Sequence, residues 1–86
     1  MEIITGTVVI SKAGRDQKSL MLAVKSENGF VYVADGKERK LDAPKKKNPK
    51  HLQKTNYKID FEQLTDKKLR IALREISKHN IAEESD

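Results

Sequence analysis

The chain has 86 residues and a mass of 9.8 kDa. That is one small domain, which buries only ~60% of its unfolded surface. Lys and Arg number 18 against 13 Asp and Glu, for a net charge of +5, which points to a polyanionic partner. Cysteine is absent, which excludes disulfides, Cys-ligated zinc and thiol catalysis and suits a reducing compartment. The longest uncharged run, Ile3 to Ser11, falls well short of the ~18 apolar residues that span a bilayer. Met1-Glu2-Ile3-Ile4 puts an acid where a secretory signal carries a base. A soluble, cytoplasmic protein without a membrane partner is expected.

In chain order, the first third reads as strands. Thr7-Val8-Val9-Ile10 is β-branched throughout, which favours the pleated conformation. A polar stretch from Lys12 to Ser19, with Gly14 inside it, reads as a loop. Leu20-Met21-Leu22-Ala23-Val24 is a second strand. Ser26-Glu27-Asn28-Gly29 is a turn, with Asn-Gly suited to positive φ. Phe30-Val31-Tyr32-Val33 is a third strand, and Asp35-Gly36 marks the next turn. Glu38-Arg39-Lys40-Leu41 reads as a short fourth strand. Phe30 and Tyr32 share one face by the period of two, so at least one of them is expected to fill the interior. Short strands with turn signals about every ten residues predict a small, bent β-barrel rather than βαβ units.

Residues 42–58 read as a loop around Lys45-Lys46-Lys47, with a last edge strand at His51 to Thr55. Pro44 suits only an edge or a connection. The final third predicts a helix over residues 65–79. Thr65 is its cap and Asp66 an acid in the first turn. Leu69, Ala72, Leu73 and Ile76 form one apolar face, and Ile71 points away from it. Lys78 and His79 occupy the last turn, with Asn80 as the stop. The chain thus divides into a barrel with a basic loop (1–58), a helical extension (59–82) and an acidic tail (83–86).

Catalytic patterns are missing. A P-loop ending at Lys18-Ser19 would need glycines where Lys12 and Gln17 stand. His51 and His79 lie in different elements with no ligand at zinc spacing. Glu83-Glu84 and Asp60-Phe61-Glu62 read as solvated charges rather than an acid–base pair. No serine sits in a strand–turn–helix elbow. The expectation is a non-enzymatic protein with no cofactor and no metal.

Charge is concentrated. Residues 12–58 carry 13 basic and 5 acidic groups, whereas residues 59–86 carry 5 basic and 7 acidic. Within 37–58 alone, nine bases face two acids. Lys37, Arg39, Lys40, Lys45, Lys46 and Lys47 are therefore candidate phosphate contacts, since neutralised phosphates release counterions. A lysine run is also what an ordinary solvated surface carries. Lysines position rather than read sequence. The four aromatics, Phe30, Tyr32, Tyr57 and Phe61, form no visible stacking platform. Structured RNA recognised through its backbone is expected over single-stranded sequence.

Gly6-Thr7-Val8-Val9-Ile10-Ser11-Lys12-Ala13-Gly14-Arg15-Asp16 resembles the opening of KOW domains. It is closest to the branch containing the e-type large-subunit ribosomal protein fourteen of archaea and eukaryotes, and Ser-Lys-Ala-Gly-Arg-Asp is its most specific part. Val33-Ala34-Asp35-Gly36 with Arg39, and Asn48-Pro49-Lys50-His51-Leu52 with Thr55, extend the likeness over roughly residues 5–57. Small bacterial KOW-domain RNA-binding proteins are similar over almost the whole chain. The resemblance implies an SH3-like barrel that binds RNA, commonly ribosomal. By position it nominates Lys12, Arg15 and Lys18 in the first loop, and Lys50 and His51 in the later motif. Arg15 is the first choice, because a guanidinium forks onto phosphate or a guanine edge; its competing role is a salt bridge to Asp16 or to the barrel edge. Two departures stand out. Gln17-Lys18-Ser19 occupies the place where many KOW motifs carry a glycine, and Lys54 occupies one where proline is common.

The expected fold is mainly β, an SH3-like barrel of the KOW type followed by a C-terminal α-helix. The expected function is binding of ribosomal or other structured RNA, with ribosomal proteins as neighbours. The alternative is a protein-interaction adaptor, in which the helix docks the partner and the lysines serve solubility.

Overall fold

Thr7-Val8-Val9-Ile10 lacks the alternation of a half-solvated strand because its first three residues are buried on both faces of the sheet. The computed structural model describes residues 3–12 and 19–84. Its elements are β1 (Thr7–Ser11), β2 (Leu20–Glu27), β3 (Phe30–Ala34), β4 (Lys45–Lys47), a 3-10 turn (Pro49–His51), β5 (Leu52–Lys58) and α1 (Asp66–Glu84). The fold is mainly β: one five-stranded antiparallel sheet in the order β4-β3-β2-β1-β5, with a C-terminal helix.

One face of the sheet gathers Val9, Met21, Ala23, Val31, Val33 and Leu52 with Ile3. The other face gathers Val8, Leu22 and Ala34 under Leu69 and Leu73 of α1. Fully burying a Leu side chain contributes ~1.5–3 kcal/mol, so Leu69, which is 0% exposed, is a principal tie between helix and sheet. Thr65 caps α1 as expected, its Oγ1 accepting from Lys68 N at 3.2 Å. The side chain of Asp66 accepts from Leu41 N at 2.8 Å and ties the helix start to the chain after β3. Ile71 lies outside the packed stripe, as its position predicts, at 47% exposure. The helix does not stop at Asn80. It continues through Glu84 and takes in the start of the expected acidic tail, because Ile81-Ala82-Glu83-Glu84 contains no breaker and is rich in helix formers.

Three further expectations are corrected. Glu38–Leu41 is not a strand: residues 35–40 close a turn in which Asp35 N and Gly36 N both donate to Arg39 O, at 2.9 and 3.0 Å. The fourth strand is the lysine run itself, Lys45–Lys47, paired with β3 through Val33↔Lys45 and Val31↔Lys47. Residues 42–58 are thus mostly ordered elements, with β5 reaching from Leu52 to Lys58. Neither Phe30 nor Tyr32 fills the interior. Val31 and Val33 do, and the two aromatics lie half-buried on the opposite face.

Two irregularities bend the sheet. Between Ala23↔Val33 and Lys25↔Tyr32 the register shifts by one residue, placing Val24 in a bulge of β2. Between Thr7↔Lys58 and Val9↔Lys54, β5 advances further than β1. There the Thr55 hydroxyl fills the gap, donating to Val8 O at 2.6 Å and accepting from Tyr57 N at 3.2 Å. Bulges increase local twist and bend the strand that carries them.

The edges of the sheet constrain its shape most. β4 and β5 are the two edge strands, and no ladder joins them. Residues 48–51 alone connect them. In a flat sheet the two edges would stand ~19 Å apart, whereas Lys47 to Leu52 reaches at most ~17 Å even when fully extended. A 3-10 turn shortens that reach further, so the sheet curls. Lys47 Nζ meets Ser11 Oγ at 3.0 Å, although β4 and β1 would be ~14 Å apart in a flat sheet.

Gly36 has φ +79, and a Cβ there would press into the carbonyl oxygen of Asp66. Gly36→Ala is therefore expected to cost roughly 1–3 kcal/mol through strain and overpacking at the turn–helix contact. Urea denaturation of the variant beside the wild type measures it.

Candidate nucleic-acid interface

The antiparallel pairing sets the end of β1 beside the starts of β2 and β5, and the start of β2 beside the end of β3. The link into β5 arrives there from the opposite end, where β4 ends across from Val31 and Pro49 lies beside Ile3, Thr5, Ser26 and Gly29. Two backbone hydrogen bonds define the place. Lys12 N donates to His51 O at 2.8 Å, and Ser11 N donates to Ser19 O at 2.9 Å. Lys12 therefore lies against the 3-10 turn that carries Lys50 and His51, and all three residues are exposed. Asn48 shapes that turn: its Oδ1 accepts from Lys50 N at 3.0 Å and its carbonyl from His51 N at 2.9 Å. Pro49 at the start of the turn adds a preset φ.

Lys37, Arg39 and Lys40 sit on the neighbouring turn and are exposed. Asp35 Oδ1 orders it by accepting from Lys37 N at 2.8 Å and Arg39 N at 2.9 Å. This turn rests on α1, where Arg70 Nη1 donates to Gly36 O at 2.7 Å. Ser19, Lys37, Arg70 and Arg74 line a depression of about 440 Å³ together with the acids Asp35 and Glu38. Arg70 and Arg74 bring two arginines that sequence reading assigned only to a helix. Their position beside a turn thirty-odd residues upstream is a product of tertiary packing, and no local pattern signals it.

As a strand, the lysine run is divided between two faces. It alternates, so Lys46 shares a face with the pair of residues flanking it in neither direction. Lys46 is exposed, with its Nζ 4.3 Å from the centre of the Phe30 ring. Lys45 and Lys47 are half-buried, and Lys47 reaches Ser11. Lysine is uncommon in strands, but on an exposed edge it prevents pairing with other chains, and β4 is such an edge. Arg15 and Lys18 lie outside the described residues. The chain leaves the basic end at Lys12 and returns to it at Ser19.

Among the described residues, no group of three or more His, Asp or Glu side chains is placed to hold a metal ion. No described helix is long and apolar enough to cross a membrane. No family model matches the chain, and no curated protein matches it.

Asn48→Ala removes the side-chain acceptor that holds the turn under Lys50, at an expected cost of about 1 kcal/mol. Lys50→Gln, at an exposed position, should stay within about 0.5 kcal/mol of wild type. Thermal melts of the two variants separate scaffold from surface.

Proposed function

We propose that the protein is an RNA-binding module: an SH3-like, KOW-type barrel, left partly open between β4 and β5, that binds structured RNA, ribosomal RNA foremost, through its basic end. The observation that carries this reading is the joining of sequence-distant bases by the Lys12 N to His51 O bond. That bond joins the most specific stretch of the KOW likeness to one of its further matches. Lys12, Lys50 and His51 form one part of the surface, with Arg15 and Lys18 in the chain between Lys12 and Ser19. Lys37, Arg39 and Lys40 extend it across the turn that rests on α1.

The chemistry fits a phosphate backbone. Exposed lysines act as mobile point charges that bind by releasing counterions, with little sequence reading. The neighbouring backbone is fixed by Asn48 and Asp35, so the charges ride on preset turns and less ordering is required on binding. Lys45 and Lys47 serve the sheet edge and its curl in this reading, and the RNA contacts come from the connections around it.

Binding to a ribosomal RNA fragment is expected to weaken steeply with salt. Each phosphate contact contributes a slope near −0.9 in log affinity against log salt. Lys12→Gln with Lys50→Gln should flatten that slope by about 2. Filter binding across ~50 to ~500 mM salt measures it. Affinity unchanged over that range overturns the reading, and salt-resistant capture of a protein in place of RNA supports the adaptor alternative.

A further inference from the structure

The face of the sheet opposite the curled interior is only partly covered by α1. The helix packs on Val8, Leu22 and Ala34. Farther along β3, Tyr32 and Phe30 continue that face and are half-buried. The bulge at Val24 decides which residues surround them. Met21 and Ala23 point to the interior, so unbroken alternation would send Lys25 there too. The extra residue reverses the phase, and Lys25 pairs with Tyr32 while Glu27 pairs with Phe30. From the other side β4 sets Lys46 against Tyr32. The result is two aromatic rings between two lysines: Lys25 Nζ is 5.6 Å from the Tyr32 ring centre and Lys46 Nζ is 4.3 Å from that of Phe30. The one acid of this group, Glu27, is paired with Lys25 at 3.2 Å.

We propose that Phe30 and Tyr32 stack two unpaired nucleotides of the bound RNA, while Lys46 and Lys25 move from the rings to the adjoining phosphates. This deepens the RNA-binding reading and rests on it. The sequence showed the shared face of Phe30 and Tyr32 but assigned it to the interior; Val31 and Val33 fill the interior instead, and the bulge and the edge strand assemble the platform outside. Magnitudes favour the exchange. A lysine over an exposed ring is worth about 2- to 5-fold in an equilibrium constant, whereas a base stacked on an aromatic is worth about 5- to 150-fold. The displaced lysine gains a phosphate in return. Geometry selects unpaired nucleotides. Rings two residues apart on a strand are spaced ~6.8 Å, about twice the ~3.4 Å that separates stacked bases in a duplex. Splayed bases match that spacing and paired ones do not.

The test uses two labelled RNA hairpins that differ only in two adjacent bulged adenosines in the stem, with binding read by fluorescence anisotropy. Wild type is expected to favour the bulged hairpin. The Phe30→Leu, Tyr32→Leu double variant should lose about 5-fold or more on that hairpin and keep its affinity for the fully paired one. Glu27→Gln removes the only acid of the group and should strengthen binding to the bulged hairpin. Should the double variant fold poorly, proton NMR of the wild type reads the same contact: the Phe30 and Tyr32 ring resonances move upfield with the bulged hairpin alone. Equal affinity for both hairpins, unmoved ring resonances, or equal loss on both in a folded double variant overturns the stacking site and leaves RNA binding standing. Binding to neither hairpin at low salt overturns both.

Discussion

Four residues between the two edge strands set the shape of this protein. The connection from Lys47 to Leu52 is too short to bridge a flat five-stranded sheet. The sheet therefore curls, and most other features depend on that curl. It wraps Val9, Met21, Val31, Val33 and Leu52 into one interior. It brings the Lys47 amine to the Ser11 hydroxyl. It also sets the 3-10 turn against the end of β1, where Lys12 meets His51. A chain of this length has little core to spare, and a sheet that folds over itself buries its own inner face without needing a second layer there.

The outer face divides its work. One part holds the helix, through Leu69 and Leu73 on Leu22 and Ala34. Gly36 permits a close approach there, because the turn after β3 lies directly on the Asp66 carbonyl. Arg70 and Asp66 each bond to that connection, at Gly36 O and Leu41 N, so the helix both covers the sheet and braces a basic turn. The other part of the face stays open, and there the bulge at Val24 turns Lys25 outward to join Phe30, Tyr32 and Lys46. One extra residue in β2 thus spares the core a buried amine, whose desolvation would be costly, and places a cation beside an aromatic pair.

The parts of the fold that were legible in the sequence are those governed by local rules. The β-branched run of β1, the apolar run of β2 and the Asn28-Gly29 turn, with φ of 52 and 80, follow from residue preference alone. So do the cap at Thr65 and the stripe of Leu69 and Leu73. The lysine run escaped that logic. Lys45–Lys47 looks like solvated loop, and it forms a strand because β3 offers an unpaired edge and the short link to β5 holds it there. Local preference was outweighed by a backbone ladder that only the assembled sheet provides.

The same division holds for the candidate site. Basic character, freedom from thiol chemistry and the nomination of Lys12, Lys50 and His51 were readable from the residues and from the likeness to KOW domains. Which bases lie together was not. That Lys12 neighbours His51, that Arg70 and Arg74 line the same depression as Lys37, and that Lys46 covers Phe30 are contacts between distant segments. By itself the sequence determined the element types and the charge of the connecting loops, since both are properties of a few neighbouring residues. The tertiary structure alone decided the faces, because strand phase is reversed by a single bulge and edge proximity is imposed by a four-residue link, and neither leaves a mark on local composition.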